Sequence, residues 1–383
     1  METETSRMIS NIRNIMKSIR SSTPSKGTPD WNRPADLVCR EDYLYNEKVN
    51  AASMTLFPTG CEYAVSGGCT MCGEWSGSNL GQLVSAQYHV AQFAAGCSTL
   101  LSEKDIQWLR IYQEGSFLND AEVFPEAREI ILRLASCIKG IRRITIESRP
   151  EYLTSKLANE IRHFARNSEL EVGIGLESVD DFIRRVCVGK GTSLSVYEKA
   201  VNIAHQNNII ALAYIILKPP FLSEKEAIDD AVASTKYAFD LGFDEVYVQA
   251  ASVHDWSLSE LLAQKKLYTP PWLWSMLDVV QKTAHLGKVK IGGLEYFPRP
   301  ALTSQNYKST KASEICDCSH GVWSAIQKFN AYGDVNVFSE VDCSCKKIWR
   351  ETLVEENDPL PLRVSNILPS LSTKEYLSYK GIN

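Results

Sequence analysis

Residues 53–73 read SMTLFPTGCEYAVSGGCTMCG. The run 53–57 predicts a strand. It turns through Pro58 and Gly60 into a loop carrying Cys61, Cys69 and Cys72, spaced C-x7-C-x2-C. Three thiolates from one loop can ligate three irons of a [4Fe–4S] cubane and leave the fourth iron open. Zinc is the alternative, but it takes four ligands, often as two CxxC pairs, and no histidine lies in the loop. Gly60, Gly67, Gly68 and Gly73 let such a loop fold tightly, with backbone N–H groups turned toward the sulfides.

Outward from this loop, short β-rich runs alternate with longer helical stretches. Runs 53–57, 108–112, 143–147, 171–176, 211–217, 245–250 and 289–291 predict strands. Stretches 125–138, 155–167, 194–206 and 224–241 predict helices. Repeated strand–helix units imply an α/β fold with a parallel sheet, either doubly wound or a whole or partial barrel. In each case chemistry gathers at the C-terminal ends of the strands. The pattern changes near residue 297. FPRPALTSQNYKS reads as loop, then come CDC at 316–318, a helical stretch over 322–329, and CSC at 343–345. The tail 355–383 reads as an irregular wrap. The expected division is a helix and linker over 1–50, a barrel over 51–296 and a cysteine-containing extension over 297–383.

The chain has 383 residues, 44% hydrophobic and 23% charged, enough for a large α/β domain and an appendage. No apolar run approaches the ~20 residues of a membrane span. The first residues have Arg and Lys but no apolar core behind them, unlike a secretory signal. A cytoplasmic protein is expected. The net charge of −5 lacks the basic surplus of large nucleic-acid binders. Eleven cysteines, an odd number with seven in tight clusters, favour metal ligation over disulfides. Of the scattered Cys39, Cys97, Cys137 and Cys187, Cys137 reads as a core residue within IILRLASCI.

The loop GCEYAVSGGCTMCG resembles the variant cluster loop of radical S-adenosylmethionine (SAM) proteins related to the archaeosine synthase radical subunit, and more distantly to the catalytic subunit of elongator. Most radical SAM proteins carry C-x3-C-x2-C, and this chain departs from them as that subgroup does. The same likeness extends to YQEGSFLNDAEV at 112–123, ITIESRPEYLT at 144–154, EVGIGLESVDDFIRR at 171–185, ILKPPFLSEKEAIDD at 216–230 and TPPWLWSMLDVV at 269–280. It runs over about residues 53–350. The resemblance implies a partial (β/α)6-type radical SAM barrel with SAM bound at the open iron. It also implies SAM-binding roles at the strand ends. Glu114, with Gly115 and Ser116, would receive the amino group; Glu147 and Arg149 would lie near the ribose or carboxylate; Glu177 would lie beside the adenosine. A Glu147–Arg149 salt bridge is the structural alternative. Lys190 reads as a solvated loop lysine. Lys218, Gln249, Ser252 and His254 are candidate substrate contacts, and Trp272 and Trp274 read as core anchors.

Cys316, Cys318, Cys343 and Cys345 form two C-x-C pairs. They suit an auxiliary [4Fe–4S] cluster, with zinc or disulfides as alternatives. Three as ligands would leave an open iron able to donate sulfur. The leading expectation is C–S bond formation on a small-molecule substrate, with flavodoxin or ferredoxin as electron donor. A radical C–N lyase acting on a lysine adduct of a transfer-RNA base is the second reading, disfavoured by the acidic charge. A non-catalytic metal scaffold is the third, opposed by the strand-end carboxylates. No membrane partner is expected.

Overall fold

The structure is a computed structural model that describes residues 2–25, 29–101, 105–292, 318–354 and 357–382. Eight strands form one sheet in sequence order: β1 (Asp36–Leu44), β2 (Glu47–Thr55), β3 (Trp108–Tyr112), β4 (Arg143–Glu147), β5 (Glu169–Glu177), β6 (Ile209–Leu217), β7 (Glu245–Ala250) and β8 (Lys288–Gly292). Strands β2 to β8 run parallel, so all their C-terminal ends meet at one rim. β1 adds an antiparallel edge. The expected partial barrel is thus present, widened by β1 and β8. Residues 36–50, read as linker from the sequence, belong to this β1–β2 hairpin. Their alternation is half-buried and polar, which hid the strand signal.

The helices are α1 (Glu2–Ser21), α2 (Glu62–Val65), α3 (Ala86–Leu101), α4 (Pro125–Cys137), α5 (Ser155–Phe164), α6 (Leu194–Gln206), α7 (Glu224–Leu241), α8 (Leu258–Gln264) and α9 (Leu273–Thr283), then α10 (Ser319–Tyr332), α11 (Cys345–Thr352), α12 (Leu360–Ile367) and α13 (Thr373–Tyr379). Local sequence fixes several of their ends. Ser223 caps α7 with a reciprocal bond to Glu226, and Gly242 closes it in the left-handed region at φ 102°. The tail is helical where an irregular wrap was expected. The segment 293–317, with FPRPALTSQNYKS, the proposed boundary at 297 and Cys316, lies outside the described residues.

The strands' alternation divides the core. Ile144 and Ile146 of β4 are buried and point away from the barrel axis. Arg143 points inward, where it meets Glu171 of β5 at 2.9 Å and Glu245 of β7 at 2.8 Å. These residues lie near the strands' N-terminal ends and form a charged floor. The opening between β1 and β8 is bridged by Lys290, which donates to Tyr43 O at 3.1 Å and lies 3.3 Å from Asp42 Oδ1. α10 covers the free edge of β8. Its Asn330 side chain bonds both Ile291 N (2.9 Å) and Ile291 O (2.8 Å), as a neighbouring strand would. Cys137 is exposed, correcting its reading as core; Cys187 is the buried one of the four scattered cysteines.

Candidate active site

The three-thiol loop leaves β2 at the rim. Cys61 caps the single turn α2, Cys69 takes a left-handed backbone at φ 53°, and Cys72 N–H closes back on Cys69 O at 3.3 Å. The body of the protein holds this loop on several sides. Thr70 N donates to Val188 O (2.9 Å), and Leu258 N donates to Thr70 O (2.8 Å). The Tyr63 hydroxyl donates to Gly189 O (2.8 Å) and accepts from Gly191 N (2.7 Å). Burial pushes the Cys61 thiol up to about 12, with the Glu122 and Cys69 charges adding to it, and raises Cys72 as well. Metal ligation must therefore expel protons from these thiols. No disulfide joins the described cysteines.

The strand-end residues collect around the same rim. Glu114 follows β3, Glu147 ends β4, Glu177 ends β5, Lys218 follows β6 and Gln249 lies near the end of β7. Glu114 (φ 54°), Glu177 (φ 65°) and Lys218 (φ 63°) all hold left-handed backbone. For residues with a Cβ this conformation is costly, and it clusters at functional sites. His254 packs on the residue after the third thiol: a Cβ on Gly73 would lie 2.3 Å from the His254 Cβ. Its Nδ1 lies 3.9 Å from Glu74 Oε1. Burial lowers the imidazole pKa, while Glu74 and Asp255 pull it the other way.

Several sequence expectations change. Lys190 is no solvated loop lysine. It pairs with Glu177 at 2.7 Å and donates to Gly175 O at 3.1 Å. Burial works against its charge and Glu177 more than offsets that, so the ammonium is held above its usual range. Arg149 pairs with Glu151 where a bridge to Glu147 was the alternative, donates to Thr192 Oγ1 (3.2 Å) and stacks 3.7 Å from the Tyr63 ring centre. Lys218 has its charge met by Glu224 at 2.6 Å. The room that Gly115 provides is filled by the Glu122 carboxylate, since a Cβ there would lie 2.0 Å from Glu122 Oε2. Ser116 is fully buried, its N–H bonded to Glu122 (2.6 Å) and its Oγ accepting from Arg149 N (3.2 Å). Gly115 and Ser116 are thus committed to internal contacts. Trp272 and Trp274 are buried, as expected of anchors.

The glycines of Gly173-x-Gly175 have a local explanation. A Cβ at Gly173 would lie 2.6 Å from the Tyr214 ring, and one at Gly175 would lie 2.4 Å from both Glu177 Oε1 and Lys190 Nζ. The missing Cβ at Gly173 lets Tyr214 cross β5 toward Glu147, whose charge helps burial raise the Tyr214 pKa, and the one at Gly175 leaves room for the Glu177–Lys190 pair. Sequence reading missed Glu122, Tyr214 and Arg20. Glu122 lies within YQEGSFLNDAEV, where nothing local marks it out. Buried at 2% exposure, it accepts from Ser116 N, Gln113 Nε2 (3.0 Å), Asn119 Nδ2 (3.0 Å) and Glu62 N (3.1 Å).

The second cysteine set also assembles. The sulfurs of Cys318, Cys343 and Cys345 all lie within 4.8 Å of one another, and Trp274 Nε1 donates to Cys345 Sγ at 3.2 Å. Cys316 lies outside the described residues.

Three curated relatives align over 64–91% of the chain. An uncharacterised protein of Methanocaldococcus jannaschii is 30% identical over 353 residues, covering 91% of this chain and 94% of its own. Archaeosine synthase subunit beta of Methanosarcina acetivorans is 28% identical over 345 residues, covering 88% and 95%. That of Thermococcus kodakarensis is 30% identical over 251 residues, covering 64% and 74%. Among solved structures, Methanocaldococcus infernus Elp3 aligns at 14% identity over 64% of this chain and 61% of its own, with a TM-score of 0.46. Coproporphyrinogen III oxidase of Escherichia coli, a radical SAM enzyme, aligns at 15% identity over 47% and 39%, with a TM-score of 0.32. No family model matches the chain. Among the described residues no helix is long and apolar enough to cross a membrane. The chain belongs to the radical SAM enzymes, in the family of the archaeosine synthase beta subunits.

Proposed function

We propose that this chain binds a [4Fe–4S] cluster on Cys61, Cys69 and Cys72, cleaves SAM at the barrel rim, and acts as a radical C–N lyase on a modified transfer-RNA base alongside a partner subunit. The observation that carries the first step is the meeting of this thiol loop with Glu114, Glu147 and Glu177 at one rim. The donor set fits the cluster: three thiols outside any disulfide, on a loop held by its neighbours. Gln113 Oε1 and Ser148 Oγ, just past β3 and β4, are buried without a protein partner and suit a polar ligand. When bound and reduced, the cluster supplies the electron that splits SAM into methionine and a 5′-deoxyadenosyl radical.

The protein's part is to bind, orient and exclude water. Glu114 receives the SAM ammonium, Glu147 and Arg149 lie toward its ribose or carboxylate, and Glu177 lies beside the adenosine. Lys190 keeps Glu177 ionised and fixed. Gln249 and His254 face the substrate, and Lys218 contributes through its fixed pair with Glu224. Flavodoxin or ferredoxin serves as electron donor. Two relatives bear the name archaeosine synthase subunit beta, which supports both the RNA substrate and the partner. The net charge of −5 supports a division in which that partner carries most of the RNA-binding surface.

A second reading, sulfur insertion into a small metabolite, is favoured by the Cys318, Cys343 and Cys345 group. Its spacing tells against it. A tetrahedral zinc with Zn–S bonds of about 2.3 Å holds its sulfurs ~3.8 Å apart. Cys318 and Cys345 sulfurs lie 3.5 Å apart. A cubane interposes a whole cluster between its thiolates and spreads them wider. The first loop forms no such tight group among the described residues. We therefore assign the second set to a single zinc.

Anaerobic reconstitution followed by SAM and dithionite tests the core proposal. The protein should release 5′-deoxyadenosine and Cys72→Ala should abolish it; retained cleavage in that variant overturns the assignment. Metal analysis separates the two readings. About four irons and one zinc per chain support the lyase, whereas about eight irons and no zinc revive sulfur insertion.

A further inference from the structure

We infer that Arg20, on a helix outside the barrel, is the positioning residue that closes the long cluster loop. The inference rests on Cys61, Cys69 and Cys72 being cluster ligands.

Seven residues separate the first two thiols, and four of them, Glu62–Val65, wind into one helical turn. The Ala64 carbonyl at its end accepts from Gly67 N at 2.9 Å, and a carbonyl oxygen has a second lone pair for a further donor. The chain then reverses at Gly67, where φ is 83° and a Cβ would lie 2.6 Å from the Arg13 carbonyl oxygen. The loop therefore lies flat on the backbone of α1. Arg20 reaches in from the last turn of that helix. Its Nη1 donates to Ala64 O at 2.6 Å and to Gly68 O, and its Nη2 donates to Cys69 O at 2.8 Å. Beyond the third thiol, Trp75 Nε1 donates to the carbonyl of Arg20 itself at 3.2 Å. One residue thus ties down the turn, the reversal, the second thiol's backbone and the segment that follows the third.

The anchor is firm. Arg20 is 3% exposed, and Met8, Ile12, Met16 and Ile19 bury one stripe of α1 in the core. A guanidinium suits the task because its rigid fork reaches several carbonyls at once, and its charge matches the negative end of a helical turn. A lysine would supply the charge but not the fork. Removing the fork frees a loop whose ordering Arg20 otherwise secures, and Cys69 no longer presents its sulfur in one place.

The test uses the full chain as Arg20→Lys and Arg20→Ala, with Met16→Ala as a control that weakens the same helix while keeping the Arg20 guanidinium. Each is reconstituted anaerobically and challenged with a chelator. Iron and sulfide per chain are measured, with electron paramagnetic resonance of the reduced protein with and without SAM. Partners that orient metal ligands typically carry 10–100-fold in metal affinity, so Arg20→Lys should fold with a wild-type circular dichroism spectrum yet hold its iron about 10-fold less tightly, with a shifted resonance. Arg20→Ala should lose as much or more. Met16→Ala should melt earlier but keep wild-type iron retention and spectrum. Wild-type retention and spectra in both Arg20 variants overturn the inference, as does an equal iron loss in Met16→Ala. The ligand assignment fails separately, if Cys72→Ala keeps its iron.

Discussion

Asp230 lies in α7 with Oδ1 accepting from Ser178 at 2.7 Å, and with Oδ2 buried and unpartnered. Burial raises its carboxyl from 3.8 to about 7, aided by Asp180 and opposed by Ser178, Ser234 and Arg184. The folded state therefore holds this proton more tightly than the unfolded state. The stabilisation is complete below about pH 4, declines as pH rises to about 7, and is gone above it. Each tenfold difference in proton affinity between the two states is worth about 1.4 kcal/mol. His89 works in the opposite sense: burial lowers it to about 4, so its contribution is full above its ordinary value of 6.5 and is lost as pH falls toward 4. Asp230→Asn removes only the first effect. Urea denaturation should show the wild type losing stability relative to this variant between pH 5 and pH 8, by about 2–4 kcal/mol. Parallel profiles for the two proteins would show that Asp230 keeps an ordinary carboxyl. Nothing in the sequence around Asp230 signals this, because a helix-surface pattern and a buried one read alike there. Lys190 teaches the same lesson in reverse, since its glycine-flanked context reads as solvent and only Glu177 reveals its burial.

At the scale of elements, the C-terminal helix α13 serves the site without reaching it. The Tyr376 hydroxyl bonds Glu260 and accepts from Trp256 N at 3.1 Å, while Lys380 pairs with Asp255 at 2.9 Å and with Glu260. These bonds pin Asp255, Trp256 and Glu260, and His254 and Asp255 pack against Gly73 beside the third thiol. Tyr376→Phe removes a hydrogen bond to a charged group and should cost about 1.5–3 kcal/mol. Hydrogen exchange should speed up at residues 254–258 more than in α4. A uniform acceleration would show that α13 stabilises the whole fold and not this loop in particular. Strands β3, β4 and β7 match their sequence-read bounds, because each is a short run rich in β-branched or aromatic residues. The tail and the β1–β2 hairpin were misread, because half-exposed elements carry a weaker hydropathy signal.

At the scale of the molecule, one arginine organises the barrel floor. Arg143 is fully enclosed between Glu171, Glu245, Glu169 and Tyr45. Glu245 also pairs with Lys288, and Glu171 accepts from Thr145 at 2.7 Å. Arg143→Met strands buried carboxylates and should cost about 3–5 kcal/mol in chemical denaturation. Adding Glu171→Leu should restore much of that, since removing both members of a buried pair is often neutral. A double variant no more stable than the single one would reject the charge explanation. Taken alone, the sequence determined the strand–helix alternation, the three-thiol loop and the carboxylates at strand ends, because each is encoded within a few neighbouring residues. Tertiary structure alone decided that Arg20 closes the loop from 44 residues away, that Glu122 occupies the space beside Gly115, and that Cys318, Cys343 and Cys345 gather within 4.8 Å of one another. The physical reason is common to all three. Burial, pairing and ligand spacing depend on which distant segments the fold brings together, and local pattern records only one of the partners.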